Sequence, residues 1–275
     1  MYVEFYQLKD EPFRLTPDPR YLYLTVQHQE ALNHLMYGIQ QKKGFICLTG
    51  EVGTGKTTLL RHLMDELDND RKMHTAMVLN PVLTEVQMLR CIVEEFGISS
   101  RRQDRLSLLR AINKFLLDCK HNDETAVLLI DEAQDIPPKT LEMCRLLSNL
   151  ETKTEKLLQI VLVGQPELNE TLGTREFRQL SQRITVRYHI DTMSESDTEE
   201  YIRHRLAVAG NTEDRGPNMV KFDRGAYREV FRFSQGTPRL VNAIGDKVLL
   251  AGFIYQTGKI NRKIVRKAAD ELKGL

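Results

Sequence analysis

The stretch Gly50-Glu51-Val52-Gly53-Thr54-Gly55-Lys56-Thr57-Thr58 has the glycine spacing and the Lys-Thr pair of a phosphate-binding loop. Glycine lets the backbone pass close to a phosphate, where a Cβ would stand in the way. Free N–H groups at a helix start, together with the positive end of the helix dipole, favour an anion there. In such a loop Lys56 reaches the β- and γ-phosphates of ATP, and Thr57 offers its hydroxyl to Mg²⁺. The second reactive pair is Asp131-Glu132. Asp131 would hold Mg²⁺ through water. Glu132 would polarise an attacking water as a general base. An acidic pair alone could equally cap a helix. About seventy-five residues after a phosphate loop, it points to nucleotide hydrolysis.

These residues need a sheet to hold them. Phe45 to Leu48 is an apolar run that reads as a buried strand, and Leu59, Leu60, Leu63 and Leu67 then recur on one helix face. Thr75 to Asn80 reads as a second strand stopped by Pro81. Ala126 to Ile130 is apolar without alternation, so both its faces are buried, and it delivers Asp131 and Glu132 at its carboxyl end. Ligands bind at that end in open α/β sheets. Leu157 to Val163 is a fourth strand, which sends Gln165 towards the same crevice, and Ile184 to Ile190 is the last. Arg175, Arg178 and Arg183 surround the turn before it. Between the strands, helices are expected over His28–Gln41, Thr84–Phe96 with Thr84 as cap and Gly97 as stop, Leu106–Cys119 and Phe177–Gln182. Alternating strands and helices define an α/β fold with a parallel five-stranded sheet covered on both faces.

The pattern changes near Asp191. Ser194 with Asp197, Asp223, Thr237 with Pro238, and Asn261 mark the starts of four helices. The expected division is an α/β nucleotide-binding domain over 1–191 and a small helical domain over 192–275. The first 26 residues carry Pro12, Pro17 and Pro19 among aromatic residues that need burial. They serve either as packing or as one wall of an adenine pocket. Basic residues outnumber acidic ones from Arg224 to Lys273, which suits a solvated helix face or a patch for nucleic acid or acidic lipid.

Composition narrows the partners. The 275 residues have a formal net charge of +1, which gives no global pull towards nucleic acid or membrane. No apolar run reaches the roughly 18 residues of a membrane span, and the first residues lack a signal-type pattern, so a cytoplasmic protein is expected. Cys47, Cys91, Cys119 and Cys144 form no C-x-x-C and read as reduced, packed thiols.

Taken as a set, the phosphate loop, Asp131-Glu132, the tip after the fourth strand and the helical tail resemble the AAA+ ATPases. The likeness extends to the ExeA-like (general secretion pathway protein A) and MshM-type pilus biogenesis ATPases. It is carried by Phe5-Tyr6, Pro12-Phe13, Thr16-Pro17-Asp18-Pro19-Arg20, the phosphate loop itself, Leu129 to Gln134, Leu162 to Leu168, Leu180 to Ile184 and Gly236 to Leu240. The resemblance implies that Glu132 is the hydrolytic glutamate and that Gln165 occupies the sensor-1 position. It also implies that Asn80 restrains the glutamate, that Arg239 is a lid arginine reading the γ-phosphate, and that Arg183, with Arg178 second, is an arginine finger acting in trans. The implied working unit is an ATP-dependent homo-oligomer. It would serve a secretion, pilus or exopolysaccharide system, docked peripherally at the inner membrane through a partner. The second implied function is a DNA-binding target-selection ATPase, because TnsC- and TniB-type transposition proteins share this architecture. The basic tail suits the latter, and the near-zero net charge suits the former.

Overall fold

The computed structural model describes residues 1–16, 18–151, 155–211 and 219–272. Pro17 and Lys273 lie outside the described residues. In chain order the elements are α1 (Tyr2–Phe5), α2 (Val26–Gln40), β1 (Phe45–Gly50), α3 (Lys56–Asp68), β2 (Met73–Val78), α4 (Glu85–Glu95) and α5 (Arg105–His121). There follow β3 (Thr125–Ile130), α6 (Pro138–Leu147), β4 (Leu158–Gly164), α7 (Glu167–Gly173), α8 (Arg178–Ser181) and β5 (Ile184–Ile190). The remainder is α9 (Glu195–Val208), β6 (Lys221–Phe222), α10 (Arg224–Ser234), α11 (Pro238–Ile254), β7 (Lys259–Ile260) and α12 (Arg262–Leu272). Contacts divide the chain into two compact units. One comprises Val26–Glu51 and Lys56–Ile190, the other Met1–Thr25, Val52–Gly55 and Asp191–Leu275.

The first unit is a five-stranded sheet in the order β2-β3-β4-β1-β5, with every neighbouring pair parallel. Strands β1 and β4 are buried along their whole length, and β3 along nearly all of it, which is why they carry no polar alternation. The edge strand β5 does alternate: Ile184, Val186 and Ile190 are buried, whereas Thr185, Arg187 and His189 are exposed. Helix α2 covers β1 and β5. It comes so close that a Cβ on Gly38 would stand 2.6 Å from Ile46 Cδ1. Leu59, Leu60, Leu63 and Leu67 of α3 are all buried, as their spacing requires. Thr84 and Gln87 form a full capping box at α4. Asp104, the last residue of a stretch that reads as a polar loop, caps α5 by accepting the Ser107 N–H at 3.1 Å. Strand β2 starts two residues before its expected place, and α8 is only four residues long.

The second unit is a helical bundle with its own core, built from α9, α10, α11 and α12 together with side chains from residues 1–25. Tyr6 is fully buried and donates its hydroxyl proton towards the Leu249 carbonyl at 3.1 Å and the Thr257 carbonyl at 3.2 Å. The Phe13 ring lies against Gly245, where a Cβ would approach Phe13 Cγ to 2.6 Å. Ser194 and Asp197 form the capping box expected at α9, Asp223 caps α10, and Asn261 accepts the Lys263 and Ile264 N–H groups to start α12. Strands β6 and β7 add a two-residue parallel pair. All four cysteines are free thiols, and Cys47, Cys119 and Cys144 are buried. Burial pushes the thiols of Cys47 and Cys119 up to about 11.

Candidate nucleotide site

Parallel strands send their carboxyl ends to one edge of the sheet, and the phosphate loop, Asp131, Glu132 and Gln165 collect there. Strand β4 lies between β1 and β3, so the loop after β1, the acidic pair after β3 and Gln165 after β4 come from three adjacent strand ends. Gly53 (φ +81°) and Gly55 (φ +101°) hold backbone conformations in which other residues are strained. The Lys56 ammonium is buried and donates to the Gly50 carbonyl at 2.6 Å and the Glu51 carbonyl at 2.8 Å. Burial pulls its pKa below the usual lysine value, against the charges of Glu132 and Asp131. Thr57, in the first turn of α3, donates its hydroxyl to Asp131 Oδ2 at 2.6 Å. Asp131 is buried, and that burial raises its carboxyl pKa despite the bonds from Thr57 and from the Glu132 N–H.

Glu132 adopts the left-handed conformation, φ +49° and ψ +41°. The turn aims its carboxylate at the end of β4. There Glu132 Oε2 accepts from Gln134 Nε2 at 2.8 Å and from Gln165 Nε2 at 3.4 Å. Gln134 Oε1 in turn accepts the Gln165 backbone N–H at 3.0 Å. Gln134 is the member of this site that sequence reasoning passed over. Its signal was a carboxamide two residues beyond a strand-end acid, which has meaning only once the chain turns back at Glu132.

Asn80, Arg183 and Arg239 do not bond to this group through their side chains. The Asn80 carboxamide serves its own turn, accepting the Val82 N–H at 3.4 Å, and no hydrogen bond joins it to Glu132. Arg183 stands just before β5, whose first residue Ile184 pairs with Phe45, while Ile190 pairs with Gly50. It is therefore at the amino end of the strands, roughly 17 Å along the sheet from the phosphate loop at about 3.3 Å per residue. Its guanidinium donates to Ser148 Oγ at 3.1 Å and to Asn149 Oδ1. Arg175 and Arg178 are exposed near the same turn. In the helical unit, Pro238 occupies the first turn of α11, and the exposed Arg239 donates its backbone N–H to the Gly53 carbonyl at 3.4 Å. A Cβ on Gly53 would come within 2.9 Å of Arg239 Cβ, so glycine is required there for closeness as well as for its φ.

The donor set suits the groups that the sequence implies. Thr57 and Asp131 offer two hard oxygen ligands side by side, the kind Mg²⁺ takes in phosphate sites. The glycine loop with a buried ammonium suits phosphate.

Residues 39–172 match the AAA domain family. The fold is shared with the ORC2 protein of Aeropyrum pernix in its ADP form (TM-score 0.69, 16% identity, 96% of this chain and 73% of that one). It is also shared with the RuvB Holliday junction branch migration motor of Thermotoga maritima (TM-score 0.57, 19% identity, 89% and 69%). The sheet order, phosphate loop and acidic strand end thus define an AAA-type P-loop ATPase. Within that class the chain is similar to general secretion pathway protein A: it is 44% identical to the Aeromonas hydrophila protein over all of its own length. It spans about half (49%) of that relative. Among the described residues no helix is long and apolar enough to cross a membrane.

Proposed function

We propose that the chain binds ATP with Mg²⁺ and hydrolyses it at the strand-end site. The observation that carries this is the 2.6 Å bond between Thr57 and Asp131, one residue from the buried Lys56 on one side and from Glu132 on the other. Residues Gly50 to Thr58 cradle the phosphates, with Lys56 on the β- and γ-phosphates. Thr57 and Asp131 hold Mg²⁺, which neutralises charge on the phosphate oxygens when bound. Glu132 takes a proton from the attacking water. Gln165 lies against Glu132 and completes the site. Lys56→Ala should abolish nucleotide binding, and Glu132→Gln should keep ATP bound while turnover falls roughly 10²–10⁴-fold. Equilibrium binding of a fluorescent ATP analogue, run beside a phosphate-release assay, separates the two. Wild-type turnover by Glu132→Gln would remove Glu132 from the base role.

The relationship to general secretion pathway protein A supports a task in an envelope secretion system, with pilus or exopolysaccharide assembly as sister tasks. In that setting the chain works from the cytoplasmic side, held at the inner membrane by a partner. We further assign residues 192–275 as the lid, with Arg239 reading the γ-phosphate, and Arg183 as a finger serving a neighbouring copy's nucleotide. The transposition alternative rests on the basic residues of α10 and α12. Three of them, Arg232, Arg262 and Arg266, converge on the buried Glu229 at 2.6, 3.0 and 3.0 Å, so part of that charge answers an internal carboxylate. Tight duplex binding at physiological salt would reverse this preference, with a steep salt dependence as its signature.

A further inference from the structure

We infer that Gln134 is the positioning residue for Glu132, and that Gly164 is glycine so that the Gln134 carboxamide can reach it. The inference rests on the hydrolytic reading of Glu132. Three observations carry it.

The first is the backbone. Glu132 is one of six non-glycine residues with positive φ among the described residues, and a left-handed residue without Gly or Asn chemistry is strained. Such a residue persists only where its surroundings hold it. The second is the direction of the bonds. Gln134 uses both ends of one carboxamide: Nε2 donates to Glu132 Oε2 at 2.8 Å, and Oε1 accepts the Gln165 N–H at 3.0 Å. A single planar group therefore ties the glutamate to the end of β4. Gln165 Nε2 approaches the same oxygen at 3.4 Å. With both carboxamides on Oε2, Oε1 is left as the oxygen that can accept from a water. The third is space. A Cβ on Gly164 would stand 2.7 Å from Gln134 Oε1, 3.2 Å from Leu168 Cδ2 and 3.3 Å from the Gln134 backbone nitrogen, so the carboxamide oxygen is its tightest neighbour. Gly164 is not among the glycines with positive φ, so close neighbours, Gln134 Oε1 above all, and not its own conformation account for its lack of a side chain.

A general base misplaced by about 1 Å can lose on the order of 10² in rate. Gln134→Glu keeps the shape of the side chain and an acceptor for the Gln165 N–H, yet removes the donor to Glu132. It should lower kcat on the order of 10²-fold with KM and the Kd for ATP unchanged. Gly164→Ala should lower kcat through the same contact, and should cost far less in a Gln134→Ala background, where the carboxamide is gone. In a Glu132→Gln background, Gln134→Ala should produce almost no further loss, because residues that act as a unit are strongly non-additive. Thermal melts and ATP Kd values establish that each variant is folded. Wild-type kcat in Gln134→Glu, or full additivity of Gln134→Ala with Glu132→Gln, overturns the positioning role while leaving hydrolysis by Glu132 intact. A wild-type chain that binds ATP but never turns it over overturns both.

Discussion

At the scale of single residues, the buried carboxylates Asp131 and Glu229 each answer more than one donor. Glu229 in α10 is the clearest case outside the nucleotide site. It is 3% exposed and meets three arginines, each about half exposed. Burial works against its charge, but the bonds from Arg266 and Arg262 and the charge of Arg232 outweigh it and hold the carboxyl below the usual glutamate value of 4.5. A depressed folded pKa adds stability that is complete above the unfolded value and is lost as pH falls through the folded one. The helical unit should therefore lose stability below about pH 4.5, and Glu229→Gln should flatten that acid limb. Glu229→Ala should cost on the order of 1–3 kcal/mol at pH 7 by leaving arginines without their buried acceptor. Urea melts at pH 7 and below pH 4 read both effects, and an unchanged acid limb in Glu229→Gln would remove Glu229 as its source. Neither the Glu229 cluster nor the Gln134 bridge was legible in the sequence, because each depends on side chains converging from separate elements. The meeting of Thr57 with Asp131 was legible, because a phosphate loop fixes Lys56 and Thr57 by local spacing and an apolar strand delivers Asp131 at its carboxyl end.

At the scale of elements, sequence patterns located what local chemistry controls. Caps at Thr84, Ser194, Asp223 and Asn261 all form, since each bond closes within three residues. Thr84→Ala should cost about 1 kcal/mol; equal midpoints in denaturant would remove that capping role. Short elements without a local signal, such as the β6–β7 pair, were invisible from spacing alone. The turn between α10 and α11 is held more strictly. Gly236 has φ +73°, and a Cβ there would fall 1.9 Å from the Met193 carbonyl oxygen. The left-handed conformation alone disfavours Ala by roughly 1–2 kcal/mol, and the collision with backbone adds to that. Gly236→Ala should thus be among the most damaging single-methyl substitutions in the protein, read as a lowered melting temperature, and a melting temperature equal to wild type would show that the turn can relax.

At the scale of the whole molecule, the parallel sheet was legible from apolar runs that deliver acids at their carboxyl ends. The placement of residues 1–25 was not, since irregular aromatic segments carry no periodicity to say what they pack on. Arg183 belongs to this scale because the finger role proposed for it concerns more than one copy. Its seat at the amino end of β5 keeps it from its own phosphate loop. Arg183→Ala should bind ATP normally but hydrolyse it roughly 10³–10⁵-fold more slowly. Mixing it with Lys56→Ala should restore activity, because one copy supplies the arginine and the other the nucleotide. Specific activity should also climb with protein concentration. A rate independent of concentration, with no rescue on mixing, would return Arg183 to its local role at Ser148 and Asn149.

The burial of Tyr6 and Phe13 among α11 and its neighbours also sets an order of events during synthesis. Tyr6 meets Leu249 and Thr257 across more than 240 residues. Tyr6 leaves the ribosome 243 residues before its hydrogen-bond partner Leu249. The α/β unit, whose strands all lie between Phe45 and Ile190, has its whole sheet available while the opening segment still waits. The helical unit can close its core only after α11 and α12 have been made, so Tyr6 and Phe13 stay exposed on the nascent chain until those helices emerge.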